Sequence, residues 1–192
     1  IEQSIREKYR YDATDCVHYI AVGRICPQKD YRTLIKAFAL VLEKEPKSHL
    51  DIIGVDWDMA YRKSLDALIM QLDIGRSVTF HGFQENPFKY MEAADVFVLS
   101  SVHEGLPNVM LEAMYLGKPV VVTRSIPYIA QVVHDGVNGY AVSVDGCKEL
   151  AEAMIKARRL EIKEKYMDVN SNEKRIIDLF TEVLETSRNV LL

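Results

Sequence analysis

Two glutamates, Glu104 and Glu112, flank a turn-forming segment of sequence Gly-Leu-Pro-Asn at residues 105–108. An apolar run at residues 96–99 precedes the turn, and a mostly apolar segment follows it. An apolar run of this length just before a helix is typical of a parallel strand that is covered on both faces. The turn then lies at the carboxyl end of that strand, where open α/β sheets bind ligands. The two carboxylates therefore bracket a predicted ligand site.

Glu112 is the single charged residue of a helix predicted over residues 108–116. Apolar residues occupy almost every direction around this helix, which predicts that most of it is buried. A buried charge is costly unless it has a partner. Because helical side chains lean toward the N-terminus, the Glu112 carboxylate can point back to the turn. The alternative is an ion pair with Lys118 or a place at the helix edge.

Two cations, Arg24 and Lys29, follow the first predicted strand. As an isolated pattern, Gly-Arg-x4-Lys is ordinary surface charge in most proteins, so the pair needs a spatial partner before it indicates a site.

Strand and helix patterns alternate along the chain. Strands are predicted at residues 18–23, 50–55, 78–83, 96–99, 119–123 and 140–144, and helices at 31–45, 59–72, 88–93, 108–116, 128–133 and 148–159. This alternation predicts an α/β fold with a doubly wound, Rossmann-like parallel sheet of six strands. In the order 3-2-1-4-5-6, strands one and four are neighbours at the crevice where the order reverses. Arg24 and Lys29 would then face residues 104–108.

The two glutamates and the Gly-Leu-Pro-Asn-Val between them resemble the E-x7-E signature of retaining glycosyltransferases of GT-B architecture. Within that class the sequence is most similar to family four, the glycosyl transferases group 1, which use nucleotide-sugar donors. The resemblance extends from about residue 17 to about residue 158. It covers the C-terminal, donor-binding half of such an enzyme and none of the acceptor-binding half.

The resemblance implies a role for each matching position. Arg24 and Lys29 would bind the donor diphosphate, and Glu104 would accept hydrogen bonds from hydroxyls of the transferred sugar. Glu112 would accept from the ribose hydroxyls, and the residues at 81–83 would line the base. The full set of substrate-binding residues that the resemblance implies is Gly23, Gly105, Leu106, Pro107, Asn108, Glu112, His81, Gly82 and Phe83.

The implied reaction transfers a hexosyl unit from a nucleotide diphosphate sugar, such as a UDP-sugar, to an acceptor hydroxyl with retained configuration. Two cations and a helix N-terminus stabilise the negative charge of the leaving diphosphate, so no metal or other cofactor is expected. Paired carboxylates are also typical of glycoside hydrolases, but the sheet topology and the cations argue against that class. A non-catalytic nucleotide-binding regulatory module and a GT-B sugar-nucleotide epimerase stay open as alternatives.

The tripeptide Asp-Trp-Asp at residues 56–58 matches the D-x-D pattern of metal-dependent transferases, which have a different fold. A turn followed by a helix N-cap is the favoured interpretation. Three cysteines without a C-x-x-C pair predict neither a disulfide framework nor a zinc site and favour a cytoplasmic setting. The net charge of -4 argues against a nucleic-acid partner.

With 192 residues, 48% of them hydrophobic, the chain can bury one sizeable core. We expect a lead-in from an absent acceptor domain at residues 1–16, a nucleotide-sugar-binding domain at 17–158, and a helical tail at 159–192 with a helix at 173–184. The expected partners are the nucleotide-sugar donor and the protein's own N-terminal domain, without which the fragment should be inactive. The full-length enzyme is expected to act in polysaccharide or glycolipid synthesis, in the cytoplasm, with peripheral contact at the inner face of the membrane.

Overall fold

The computed structural model describes residues 15–162 of the chain. Its strands are β1 (Val17–Val22), β2 (Ser48–Ile53), β3 (Val78–Gly82), β4 (Val96–Leu99), β5 (Val120–Thr123) and β6 (Gly139–Val142). Its helices are α1 (Tyr31–Lys44), α2 (Met59–Gln71), α3 (Phe88–Ala93), α4 (Asn108–Tyr115), α5 (Ile129–Val132) and α6 (Cys147–Ala157). The predicted helix at 173–184, most of the predicted lead-in and most of the predicted tail lie outside the described residues.

The six strands form one parallel sheet in the order β3-β2-β1-β4-β5-β6, which confirms the predicted topology. The order reverses between β1 and β4, where Tyr19 pairs with Val96 and Ile20 with Phe97. The loops that follow these two strands therefore begin side by side at the carboxyl edge of the sheet.

Successive side chains of each strand point to opposite faces of the sheet, and a hydrophobic core lies on each face. Helices α1, α2 and α6 pack on the face that carries Tyr19, Leu50 and Val98. Helices α3, α4 and α5 pack on the face that carries Ile20 and Phe97. Both faces of the central strands are thus covered, which explains why the four residues of β4 are all buried and all apolar.

Helix α1 begins directly after the loop that follows β1. Asp30 caps it, since its side chain accepts a hydrogen bond from the Thr33 amide at 3.2 Å. Leu34, Ile35 and Phe38 face inward at helical spacing and are completely buried. The cap and the buried stripe fix where α1 starts, and so fix the carboxyl end of the loop.

Strand boundaries differ from the predicted ones by at most two residues, and those of β4 agree at both ends. The largest difference is in β2, which starts at Ser48 and stops at Ile53 rather than covering 50–55. It stops because the chain turns at Gly54, whose amide donates to the Gly82 carbonyl at 2.9 Å. The apolar Val55 that extended the prediction lies in the loop and is exposed.

Gly54 allows the loops after β1 and β2 to touch. A Cβ atom at this position would lie 1.9 Å from the carbonyl oxygen of Gly23, and the φ angle is 157°. Only glycine permits such an approach of two backbones. This contact sets the spacing of the two loops at the carboxyl edge.

Among the described residues, no helix combines the length and the apolar character that crossing a bilayer requires. Cys16, Cys26 and Cys147 are free thiols.

We predict that Gly54→Ala destabilises the protein by about 2–4 kcal/mol, because the new methyl group must displace the Gly23 backbone. Urea unfolding followed by circular dichroism measures the change. Gly105→Ala is the matched control, since nothing lies within 4 Å of a Cβ atom there, and it should shift stability by less than about 0.5 kcal/mol. Equal stability of the two variants would contradict the close approach.

Candidate functional site

The candidate site lies at the carboxyl edge of the sheet, where the loop at residues 23–30 meets the loop at residues 100–107. The amide of Val102 donates to the Gln28 carbonyl at 2.9 Å, and the Gln28 side-chain amide donates to the His103 carbonyl at 2.9 Å. The Ser100 hydroxyl donates to the Lys29 carbonyl at 2.8 Å. Three hydrogen bonds thus join segments that are some 75 positions apart in the chain.

A buried ion pair forms the centre of this junction. The Lys29 ammonium lies 2.6 Å from Oε1 of Glu104, and only 13% and 8% of the two side chains are exposed. The hydroxyl of Ser101 donates to the same carboxylate oxygen. The Lys29 side chain reaches Glu104 across Gly23, where a Cβ atom would lie 3.1 Å from the lysine Cε. The structure therefore brings together three of the predicted site residues.

The neighbouring strand β5 holds Ser101 in place. Its side chain is fully buried, and its carbonyl accepts a hydrogen bond from the Thr123 hydroxyl on β5. Because the backbone of Ser101 is held in this way, its hydroxyl restrains the position of the Glu104 carboxylate. Two donors on one oxygen, an ammonium and a hydroxyl, offset the cost of burying the charge.

Arg24 is held differently from Lys29. Its guanidinium carbon lies over the ring of Trp57 at 5.0 Å from the centroid, in cation–π geometry. Arg24 is exposed, and within residues 15–162 no carboxylate pairs with it. The site thus presents one neutralised cation and one cation whose charge is not compensated.

Glu112 sits in the fifth position of α4 and is half-buried. Burial raises its pKa above the ordinary value, because the charged form loses solvation. The alternative ion pair with Lys118 does not form: the Lys118 ammonium donates to the Glu92 carbonyl. No hydrogen bond or ion pair within the described part of the chain joins Glu112 to Arg24, Lys29 or Glu104.

The segment between the two glutamates forms the start of α4. The helix begins at Asn108, the first residue of the predicted range, and Pro107 before it has a ψ of 71°, which is not helical. The Pro107 carbonyl accepts the first bond of the helix, from the Met110 amide at 2.9 Å. Leu106 is half-buried, whereas Gly105 is exposed and has open space around it. The backbone at Gly105 is therefore accessible.

The end of β3 divides into two environments. Nε2 of His81 lies 2.6 Å from Oδ1 of Asp51, and Nδ1 of His18 lies 3.0 Å from Oδ2 of the same carboxylate. Burial alone would raise the Asp51 pKa, but these two hydrogen bonds, together with the electrostatic effect of His49 and His81, hold the pKa below the ordinary value. Beyond them, Gly82 supports Gly54 through its carbonyl, and Phe83 is 71% exposed. His81 is thus part of a polar cluster under the sheet edge, whereas Phe83 faces outward.

The Asp-Trp-Asp tripeptide behaves as a turn and a helix cap, as predicted. Asp58 accepts a hydrogen bond from the Tyr61 amide at 2.9 Å and caps α2, while Asp56 lies 3.4 Å from the Arg62 guanidinium. No group of three or more His, Cys, Asp or Glu side chains within residues 15–162 could hold a metal ion.

Sequence reasoning missed the contacts made by Trp57, Ser101 and Gln28. Trp57 follows β2, and the prediction that β1 and β2 are neighbours could have placed it beside Arg24. Ser101 stands three residues before Glu104 at the end of a buried strand, which is a signal for a polar group at the site. The Gln28 contacts depend on loop conformation, and no sequence signal indicated them.

The fold and site define a class of protein: a doubly wound α/β domain with cations and carboxylates at its switch point, the geometry of a domain that binds an anionic ligand. The chain belongs to the family described as glycosyl transferases group 1, whose model matches residues 5–175. The family that the sequence resembles is therefore confirmed.

Relatives in this family are themselves described as glycosyltransferases. The chain is 37% identical over 121 residues to an uncharacterized glycosyltransferase of Methanocaldococcus jannaschii, a match that covers 63% of this chain and 29% of the relative. It is 36% identical over 135 residues to the lipopolysaccharide core biosynthesis glycosyltransferase LpsE of Rhizobium meliloti, over 70% of this chain and 37% of the relative. The matched part is thus only about a third of the length of these relatives.

Solved structures show the same fold. Anabaena HepE, crystallised with UDP and glucose, superposes with a TM-score of 0.72 at 24% identity, over 91% of this chain and 49% of that one. The lipopolysaccharide outer core galactosyltransferase WaaB superposes with a TM-score of 0.73 at 19% identity, over 93% of this chain and 51% of that one. The chain spans about half of each of these structures.

A double-mutant cycle tests the Lys29–Glu104 pair. We expect Lys29→Met or Glu104→Gln alone to lower the free energy of unfolding by about 2–4 kcal/mol, because each leaves a buried charge without its partner. The double variant should be less destabilised than the sum of the two. The exposed pair of Lys47 and Asp15 is the control and should couple by less than about 0.5 kcal/mol. Additive effects at Lys29 and Glu104 would contradict the pairing.

The pH dependence of a Glu112→Gln variant tests the burial of that carboxyl. A pKa raised by folding means that stability present at low pH is lost as the pH rises through the folded-state pKa. Glutamine avoids this loss, so the urea midpoint of the variant should exceed that of the wild type at pH 7. The difference should vanish as the pH falls to the ordinary value of 4.5.

Glu152→Gln, at an exposed position on α6, serves as the control and should change the midpoint equally at both pH values. A Glu112→Gln midpoint below that of the wild type at pH 7 would show that the carboxylate has a stabilising partner.

Proposed function

We propose that this chain is the donor-binding half of a retaining glycosyltransferase, which transfers a hexosyl unit from a nucleotide diphosphate sugar to an acceptor hydroxyl. The observation that carries the proposal is the meeting of Lys29 and Glu104, one from each of the loops that flank the switch point of the sheet. Family membership and the UDP and glucose bound by Anabaena HepE, which has the same fold, support it.

Positive charge at the site suits a diphosphate. Arg24 carries an uncompensated charge with donor groups that can form bidentate bonds to phosphate oxygens. Lys29 lies in the same loop, and the start of α4 adds the positive end of a helix dipole. As the glycosidic bond breaks, negative charge grows on the diphosphate, and fixed positive groups stabilise that transition state. In this proposal the protein itself neutralises the leaving group, and no metal takes part.

The ion pair gives Glu104 two successive roles. In the protein alone, Glu104 holds Lys29 within the site. A diphosphate would compete for the same ammonium, because phosphate oxygens also form charge-assisted bonds with it. Lys29 would then be shared, and one carboxylate oxygen of Glu104 would become available to hydroxyls of the sugar. The donor thus completes the site that transfers its sugar, with Glu104 positioning the donor rather than attacking it.

Other residues of the site would hold the remaining parts of the donor. Gly105 leaves space for the sugar or the diphosphate to approach the backbone. Glu112, half-buried and without a hydrogen bond from the described part of the chain, would accept the ribose hydroxyls. Gly82 and Phe83, with the neighbouring His81, would line the base. Each assignment follows the family pattern and is part of the proposal.

The second substrate would be bound by a domain outside these 192 residues. The chain matches only about a third of the length of its curated relatives, which supports an N-terminal acceptor domain in the whole protein. We propose that the chain alone transfers little sugar. A role in polysaccharide or glycolipid synthesis, in the cytoplasm and with peripheral membrane contact of the whole enzyme, completes the proposal.

Calorimetric titration with UDP, GDP and ADP tests the donor site. We expect at least one of them to bind the wild-type chain, and Arg24→Ala to weaken that binding roughly 10- to 100-fold, because one charge-assisted contact to phosphate is lost. Arg76→Ala is the control, since Arg76 is exposed just before β3, at the opposite edge of the sheet. Equal affinities of the wild type and Arg24→Ala would remove the assignment.

The same titration separates the role of Glu112. Glu112→Ala should weaken binding of the ribonucleotide but not of its 2′,3′-dideoxy analogue, because that analogue lacks both of the hydroxyls from which Glu112 would accept hydrogen bonds. If both ligands lose affinity equally, Glu112 does not read the ribose.

A further inference from the structure

We infer that Trp57 is a positioning residue of the donor site, which orients Arg24 toward the diphosphate through its indole ring while leaving the arginine charge uncompensated. The inference rests on the proposed function and extends it to a residue outside the family motif. Its observation is the stacking of the Arg24 guanidinium over Trp57 at 5.0 Å.

The backbone of the Trp57 loop is fixed to the backbone of the Arg24 loop. The Ile25 amide donates to the Val55 carbonyl at 2.8 Å, and the Asp58 amide donates to the Ile25 carbonyl at 3.1 Å. In one loop the bonded residues, Val55 and Asp58, lie on either side of Trp57; in the other, both bonds are made by Ile25, the residue after Arg24. The ring and the guanidinium therefore face each other by construction of the loops.

Both carboxylates beside Trp57 in the sequence are directed elsewhere. Asp58 caps α2 through the Tyr61 amide, and Asp56 lies against the Arg62 guanidinium at 3.4 Å. Either carboxylate could have neutralised an arginine within reach. Because both are engaged, neither pairs with Arg24, and the indole ring lies against its guanidinium.

An aromatic ring orients an arginine without using its donors. A carboxylate accepts the N–H groups and cancels the charge, as Glu104 does for Lys29. A ring attracts the cation through its face and leaves the edge of the guanidinium, with its five N–H donors, for a planar bidentate contact with phosphate. Trp57 thus preorganises Arg24 at little cost to its affinity for anions.

The position of Trp57 makes the test clean. Its side chain is 66% exposed, so it contributes little to either core and its removal should leave the fold intact. It is also the one tryptophan of the chain, which makes its fluorescence a direct reporter of the loop.

The test measures affinity for the nucleotide among UDP, GDP and ADP that binds the wild-type 192-residue chain most tightly. Trp57→Ala should weaken binding about 2- to 5-fold, the range expected for an exposed cation–π contact. Trp57→Phe should retain part of the affinity, whereas Trp57→Leu should behave like the alanine variant. Met59→Ala is the control. Met59 is the first residue of α2 and is 58% exposed, and its substitution should leave affinity unchanged.

A double-mutant cycle with Arg24→Ala distinguishes positioning from other roles. If Trp57 acts through Arg24, its removal should have no further effect in the Arg24→Ala background. An undiminished effect there would overturn the inference, and so would wild-type affinity of Trp57→Ala or equal affinities of the phenylalanine and leucine variants. Unchanged circular dichroism would exclude misfolding as the cause.

The two proposals fail in different ways. If none of the three nucleotides binds the wild-type chain, the proposed function fails and the inference fails with it. If a nucleotide binds and depends on Arg24 but not on Trp57, the donor site stands and only the role of Trp57 is lost.

Discussion

The buried ion pair between Lys29 and Glu104 constrains the rest of the structure. A charge pair with so little exposure is tolerable only when both loops hold it rigidly, since its desolvation is costly. That rigidity requires β1 and β4 to be neighbours, Gly23 to leave room for the lysine, and Ser101 to steady the carboxylate. The doubly wound topology supplies the adjacency, and the loop hydrogen bonds supply the rest.

The site holds its two cations by two different physical means. Lys29 is neutralised by a carboxylate, so a ligand must compete for it, whereas Arg24 is oriented by a ring and keeps its charge. In the proposed donor site the first arrangement would favour selectivity, because only an anion that offers better contacts would displace Glu104. The second favours attraction, because the charge is available before binding. In the proposed site, Arg24 would attract the anionic donor and Lys29 would bind it only by exchanging its contact with Glu104.

Much of this could be predicted from the sequence, because buried parallel strands and amphipathic helices have distinct periods. The strand order and the approach of residues 24–29 to residues 104–108 followed from that pattern and from the resemblance. The partners of Trp57 and His81 did not, since they depend on side-chain choices between neighbours only a few ångströms apart.

Asp51 fixes the alignment of β2 with its two neighbouring strands. It is a 2% exposed carboxylate on β2, bonded to histidines of both neighbouring strands, and the residues on either side of it, Leu50 and Ile52, enter the opposite, fully apolar core. A shift of β2 by one residue would turn the Asp51 carboxylate into the opposite, hydrophobic core and would break its hydrogen bonds to His18 and His81. The cluster therefore fixes the alignment of β2 with its two neighbours, and this alignment places Gly54, three residues after Asp51, against Gly23.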